Sequence, residues 1–423
     1  MATDGTPISR PALERLIAVS ADRFADEFWG REPLLSRADQ LGQDFGDLFS
    51  LAAVDELVAH RALRTPFVRM ADEGVVLDPS RYTGPGGFGA DVGDQLDSGK
   101  VLQEFAGGAT LVLQALHRTW QPLADFTREL VAEIAHPAQV NAYVTPASSR
   151  GFDPHYDVHD VFVIQIHGEK HWTIHAPVHE HPLRDQPWTD HRDAVALQAE
   201  GTPAINETFR PGDVLYLPRG WIHSATALGG TSIHLTIGVS AMGSWDIVRQ
   251  LVADSSGNAG LRSSLPLGFD ATDAAALDTL VHQTVDALAD QLRSSASRPD
   301  HIGRRLGRTL QNFTPPEPVS PIGTVEAIAT LDGTAQVSWR RGLAYRLEES
   351  QSLEESQSLE EGQSRIRIVL TTRTVSLPAE ATPAVLALTD GATVSAGNLA
   401  GLDPQSSLVV ARRLVREGIL VLR

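Results

Sequence analysis

The chain has 423 residues, 42 % of them apolar, with 53 acidic against 35 basic side chains for a formal charge of −18, and it has no cysteine. That length holds roughly two to four domains with a sizeable core, and zero Cys excludes disulfides, thiolate metal ligands and a thiol nucleophile. The acidic balance argues against bulk nucleic-acid binding, because phosphates are neutralised by Lys and Arg; it suits a basic protein or peptide partner, although acidic surfaces also serve solubility alone.

No run of 18 or more apolar residues marks a membrane span, and the opening MATDGTPISRPALERL lacks the apolar stretch of a secretion signal. The expectation is a cytoplasmic chain without membrane contact. From the N-terminus, Leu13, Leu16, Ile17, Phe24 and Phe28 fall at helix-compatible intervals before Pro33 ends the run, and LAAVDELVAHRAL repeats the period. From about Val68 the texture changes to short apolar runs between Gly and Pro. The loop RYTGPGGFGADVGD, 81–94, holds too much Gly and Asp for a regular element and reads as a flap beside a site or a plain surface loop.

Between about 139 and 243, VNAYVTP, VFVIQIHG, KHWTIHAP, DVLYLPRG and SIHLTIGVS are short, rich in branched and aromatic residues, and bounded by Pro, Gly or Asp. They read as strands of an antiparallel double-sheet roll or barrel, with a hairpin turn near HGEK. After Trp245, SWDIVRQLVADS and AAALDTLVHQTVDALADQLRSS return to the helical period with a wide apolar stripe that needs a partner, either the core or a second copy of the chain. TPPEPVSPIG reads as a linker. The last hundred residues form a small unit with a helix through Leu408, Ala411 and Val415, a stop at Gly418 and a terminal strand, an order that matches a winged helix. Arg412, Arg413 and Arg416 on that helix read as a solvated face rather than a DNA contact. The repeat LEESQS, LEESQS, LEEGQS over 347–364 places Leu347, Leu353 and Leu359 six apart, off any single helix face, and its polar filling favours a solvated loop without a catalytic role.

The chemistry concentrates in FDPHYDVHDVFVIQIHGEKHW and PGDVLYLPRGWIHSA. His155 and Asp157, two apart on an extended segment, project to one face, and His223 from a distant strand completes a three-sided cap. Two neutral nitrogens and one carboxylate on one side of an ion leave the opposite positions open, which suits ferrous iron that must bind a cosubstrate and O2 together. Raw affinity of such a ligand set does not by itself select iron over manganese or nickel. His167, His171, His175 and His179 recur every fourth residue, a helical zinc spacing, but Gly168, Pro177 and the branched neighbours oppose a helix, so they read as structural. His159 and His234 lie near enough in sequence to support the triad from behind.

Gln139–Ser240 resembles the JmjC-type cupin of the ribosomal oxygenase family, iron(II)- and 2-oxoglutarate-dependent protein hydroxylases. The likeness rests on NAYVTPASSRGFDPHYDVHDVFVIQIHGEKHW and GDVLYLPRGWIHSA, in order and spacing. It implies an α+β chain around a double-stranded β-helix, with 1–243 as catalytic domain including its N-terminal helices, 244–314 as a helical dimerisation segment, and 315–423 as a winged helix carrying the 347–364 insertion. It further implies His155, Asp157 and His223 as iron ligands, Lys170 and Tyr143 as 2-oxoglutarate contacts, and Asn141 and Thr236 as polar pocket residues. Lys170 stands where arginine-hydroxylating bacterial members carry Arg and histidine-hydroxylating members carry Lys, which leaves the target side chain open. Beside the likeness, a diacid in a buried pocket needs its far carboxylate neutralised, and Lys170, close to Trp172, supplies a compact cation there. The reading is a side-chain hydroxylase of a ribosomal or other basic protein, acting as a homodimer. A hydroxylase of a biosynthetic peptide or small molecule and a non-catalytic winged-helix regulator are the alternatives, and N-demethylation starts from the same hydrogen abstraction.

Overall fold

Branched and aromatic residues on the inward phase of successive short runs build one large antiparallel sheet. The strands of this unit are β1 (Leu34–Ser36), β2 (Val68–Asp72), β3 (Val75–Val76), β4 (Thr83–Gly84), β5 (Gln95–Leu96), β6 (Thr110–Leu113), β7 (Ala138–Thr145), β8 (Asp160–His175), β9 (Ile205–Phe209), β10 (Val214–Leu217) and β11 (Ile222–Val239), all but β4 and β5 belonging to that sheet. The computed structural model describes residues 10–72, 74–89, 91–147, 153–296, 299–350 and 364–423. In space the sheet runs β1-β10-β8-β11-β7-β6-β2-β3, with β9 added against β8 and β4–β5 paired apart.

The two longest strands make the roll. Asp160–His167 of β8 pairs with Ile233–Val239 of β11, and Glu169–His175 pairs with Ile222–Leu228, so both strands bend at the same level, where the register shifts. Gly168 sits at that bend with φ +64°, and a Cβ there would stand 2.2 Å from the Thr231 carbonyl oxygen. Only glycine tolerates both the backbone conformation and the close approach. Buried Gln165 fastens the bend by donating Nε2 to the carbonyls of His167 (2.9 Å) and Gly168 (3.0 Å) and to Ser232 Oγ (2.9 Å). HGEK is therefore not a hairpin turn, because β8 passes through it unbroken.

N-terminal segments cover one face of the sheet. The expected single helix is broken: Pro11–Glu14 is one short turn, and Ser20, extended and capping Arg23 N–H, starts a second that widens through Phe24–Phe28. The break still buries Leu13, Leu16, Ile17 and Phe24, but not Phe28. Phe24 packs edge-on against Tyr216 (4.8 Å) and tilted against Phe162 (6.0 Å). Loop 81–94 is clamped at its stem by the β4–β5 ladder, and its described residues do not line the cavity described below.

Contacts divide the chain into two units, Met1–Met242 and Gly243–Arg423. The second unit holds helices Ser244–Ser255, Ala274–Ala296, Pro299–Phe313, Pro321–Thr330, Thr382–Thr389 and Pro404–Arg416, with β12 (Gln336–Trp339), β13 (Tyr345–Ser350), β14 (Arg365–Leu370), β15 (Thr374–Pro378), β16 (Thr393–Ser395) and β17 (Leu420–Leu422). The strands form two three-stranded sheets, β16-β12-β17 and β13-β14-β15, over a core that includes Val337, Ile368, Ala411 and Leu414. The first repeat copy is not a loop at its start: Leu347–Ser350 continues β13 opposite β14. The remainder, 351–363, lies outside the described residues. Arg412 donates to the Leu331 carbonyl, and Arg413 joins Arg373 around Glu417, so both serve local structure. Among the described residues no helix is long and apolar enough to cross a membrane.

Candidate active site

The roll surrounds a cavity of about 270 Å³. The backbone draws two of its histidines together: His155 N–H donates to His223 O (3.2 Å) and His223 N–H to His155 O (2.8 Å). Their rings stand 4.4 Å apart, centroid to centroid. Asp157, two residues on, is held by Gly220 N–H donating to its carbonyl (3.0 Å), so residues 155–157 lie alongside 220–223. Tyr156 between them turns the opposite way and is buried, its hydroxyl donating to Gln186 O. Asp160 anchors the same corner, accepting from Tyr216 OH (2.9 Å) and from Arg219 N (3.1 Å) and Nη1 (3.1 Å). Removing the Arg219 guanidinium would take the counter-ion from a fully buried carboxylate, at a cost of about 3–5 kcal/mol.

The donor set suits a divalent ion. His155 Nδ1 lies 2.7 Å from Asp153 O and His223 Nδ1 3.1 Å from Trp221 O. A carbonyl only accepts, so both Nδ1 atoms carry a proton, which leaves Nε2 of each ring as the atom that can offer a lone pair to a metal. Burial, then the neighbouring His155, pushes His223 down to about 4, which keeps it neutral. Burial raises the Asp157 carboxyl, but His159, His223 and His155 outweigh it and hold the group below the usual carboxylate range. Asp157 Oδ2 stands 3.8 Å from His223 Nε2 and 3.9 Å from His159 Nδ1. Among the described residues no three His, Cys, Asp or Glu side chains already meet at metal-ligand spacing. Ligands about 2.1 Å from one ion at right angles lie roughly 3 Å apart, so closure asks for a shift of about 1 Å.

The same cavity holds Lys170, 3 % exposed. Its Nζ reaches Thr145 Oγ1 at 3.3 Å and has no ion-pair partner among the described residues. Burial alone lowers it from 10.5 to about 8. Trp172, on the same face of β8, stacks on Phe209 and meets the His234 ring edge-on at 5.3 Å. Tyr143 stacks flat on His234 at 5.0 Å, and burial with the Asp157 charge raises its hydroxyl. Burial pushes the His234 imidazole well down, so it packs as a neutral ring.

His155, Asp157, His223, Lys170, Tyr143 and Thr236 thus line one cavity. Asn141 does not. It shares the Tyr143 face of β7, but its Oδ1 accepts from Ala115 N–H at 3.0 Å, where Ala115 takes φ +55°. Of the other histidines, His171 contacts Asn206 and Thr208, and His179 stacks on His191 at 4.6 Å. Sequence reasoning missed Arg69, Thr110, Thr145, Trp188 and Ser224, which also line the cavity. The one legible signal was Arg69, a cation inside the otherwise apolar run FVRMA.

Residues 115–247 match the JmjC domain family. Among curated proteins, ribosomal oxygenase 2 of Mus musculus is 28 % identical over 313 residues, covering 70 % of this chain and 64 % of the relative. Ribosomal oxygenase 1 of Gallus gallus is 29 % identical over 299 residues, 69 % of this chain and 47 % of the relative. The chain therefore spans less than two thirds of the length of these relatives. Among solved structures, Escherichia coli ribosomal oxygenase YcfD superposes with a TM-score of 0.52 at 18 % identity, over 96 % of this chain and 98 % of that one. The same protein in complex with cobalt and 2-oxoglutarate gives 0.51 at 17 %, over 96 % and 99 %. The fold is that of a JmjC cupin.

Proposed function

We propose that this JmjC-domain chain is an iron(II)- and 2-oxoglutarate-dependent oxygenase that hydroxylates a histidine or arginine side chain of a ribosomal or other basic protein. The observation that carries this reading is the pairing, in one cavity, of two Nε2-presenting imidazoles and a carboxylate with a buried lysine that has no counter-ion among the described residues. His155, Asp157 and His223 would hold the metal, and Lys170 with Thr145 would hold the far carboxylate of 2-oxoglutarate. Iron bound there supplies oxidative decarboxylation of the cosubstrate to succinate, coupled to oxidation of a substrate C–H bond.

The chain's own residues orient and shield. Peptide carbonyls behind His155 and His223 fix the tautomers, Trp172, Val161 and Val163 supply apolar wall that limits water, and Tyr143 and Thr236 offer hydroxyls to the cavity. The charge of −18 suits a basic partner, and the likeness to ribosomal oxygenases favours a ribosomal one. In the second unit, Trp245, Val248 and Val252 on one helix and Leu277, Val281 and Val285 on the next form exposed stripes at helical spacing. Their burial in a homodimer is part of the proposal.

Purified full-length chain with iron(II) and ascorbate should convert 2-oxoglutarate to succinate, and His155→Ala or Asp157→Ala should abolish it. Intact masses of ribosomal proteins from cells with and without the gene should differ by one oxygen on one protein. Ligand binding without succinate points to a non-catalytic module, and turnover without a ribosomal mass change points to a biosynthetic peptide or small molecule.

A further inference from the structure

Arg69 occupies an inward position of β2. Its Cα partner is Val112 on β6, Val112 pairs with Tyr143 on β7, and Tyr143 with His234 on β11, one row across four strands. Directly opposed residues of antiparallel strands share a face, and Arg69, Tyr143 and His234 of this row line the cavity. Arg69 Nε is buried without a hydrogen-bond partner among the described residues, and its guanidinium lies against the Tyr143 hydroxyl. A buried N–H left unmade is costly, so the group is poised for an acceptor that arrives with a ligand.

We propose that Arg69 is a second carboxylate-holding residue, positioning the keto-acid end of a dicarboxylate whose far end sits at Lys170; this rests on the 2-oxoglutarate reading above. The row at Arg69 passes through Tyr143, and Lys170 Nζ is tied to Thr145, two residues further along β7. The two levels are therefore separated by about 6.6 Å along the strand. The carboxyl carbons of an extended five-carbon diacid are about 5 Å apart, which fits that step with each cation standing just beyond its carboxylate. With Lys170 held at the Thr145 level and Arg69 at the Tyr143 level of the same strand, a diacid whose far carboxylate meets Lys170 brings its keto-acid end to Arg69. Arginine's planar fork can donate to both a carboxylate and the Tyr143 oxygen, which a lysine there could not do with the same geometry.

The test titrates full-length, manganese-loaded protein anaerobically with 2-oxoglutarate and with 2-oxobutyrate, which keeps the keto-acid end but lacks the far carboxylate, following tryptophan fluorescence. Arg69→Gln should weaken both ligands about ten- to a hundredfold, with partial rescue in Arg69→Lys. Lys170→Met should weaken 2-oxoglutarate alone. Thermal melting of each variant verifies folding, and manganese binding should persist in Arg69→Gln. Unchanged affinity in folded Arg69→Gln, or a loss confined to 2-oxoglutarate, overturns the assignment of Arg69. If the unsubstituted protein binds neither ligand, the cosubstrate reading itself fails, which keeps the two failures apart.

Discussion

Replacing Lys170 by Met should make the ligand-free protein more stable while destroying its affinity for 2-oxoglutarate. Lys170 is 3 % exposed, contacts Thr145 Oγ1 at 3.3 Å, and is lowered by burial from 10.5 to about 8. That difference corresponds to about 3 kcal/mol of unfavourable burial of the charged form. The sign follows from proton counts. Below pH 8 the lysine is charged in folded and unfolded chains alike and the whole cost is present. Between pH 8 and 10.5 the unfolded chain binds more protons than the folded one, so stability rises with pH and the cost is relieved. Methionine has similar length and no charge, and such replacements of buried ionic groups are often neutral or stabilising by 1–4 kcal/mol. Urea denaturation at pH 7 should therefore show Lys170→Met up to about 3 kcal/mol more stable than wild type, with the gap closing as pH approaches 10.5. A variant that is less stable at pH 7, or a gap that does not change with pH, would refute the claim that this cation is held ready without a counter-ion.

Four further outcomes follow. Binding of 2-oxoglutarate, which restores the lysine charge, should be constant below about pH 8 and weaken progressively above it, as read by calorimetry from pH 7 to 9.5. Gly168→Ala forces a Cβ to within 2.2 Å of Thr231 O at φ +64°; it should cost at least about 2 kcal/mol by denaturation and weaken 2-oxoglutarate binding through the bend that carries Lys170. Asp157→Asn should keep the melting profile of a folded protein while losing most of its affinity for manganese, since the ionised carboxylate is the only anionic member of the triad. Val281→Glu combined with Val285→Glu should shift sedimentation from dimer to monomer without altering metal affinity, and an unchanged dimer would place the interface elsewhere.

The strand-rich centre was legible because its inward phase is branched and aromatic and its ends are marked by Gly, Pro or Asp. HGEK misled because a positive-φ glycine marks both a hairpin turn and a bulge, and only the Thr231 carbonyl opposite Gly168 separates them. Around the cavity, His155 and Asp157 were readable from two-residue spacing, and Lys170 with Trp172 from the same alternation. Asn141 obeys that alternation too, yet the tight backbone at Ala115 claims its side chain, a local demand that spacing does not encode. Arg69 was passed over since it lies far upstream of Tyr143, and only the pairing of β2 through β6 to β7 brings them together.

The central claim is that His155, Asp157 and His223 close on a single divalent ion and leave the rest of its coordination sphere to ligands that come and go. Anomalous diffraction from cobalt-soaked crystals tests it. The account predicts one cobalt per chain at about 2.1 Å from both Nε2 atoms and the carboxylate, its other positions filled by water or added 2-oxoglutarate. A fourth protein ligand on the ion, or cobalt bound elsewhere while these three side chains stay apart, would contradict it.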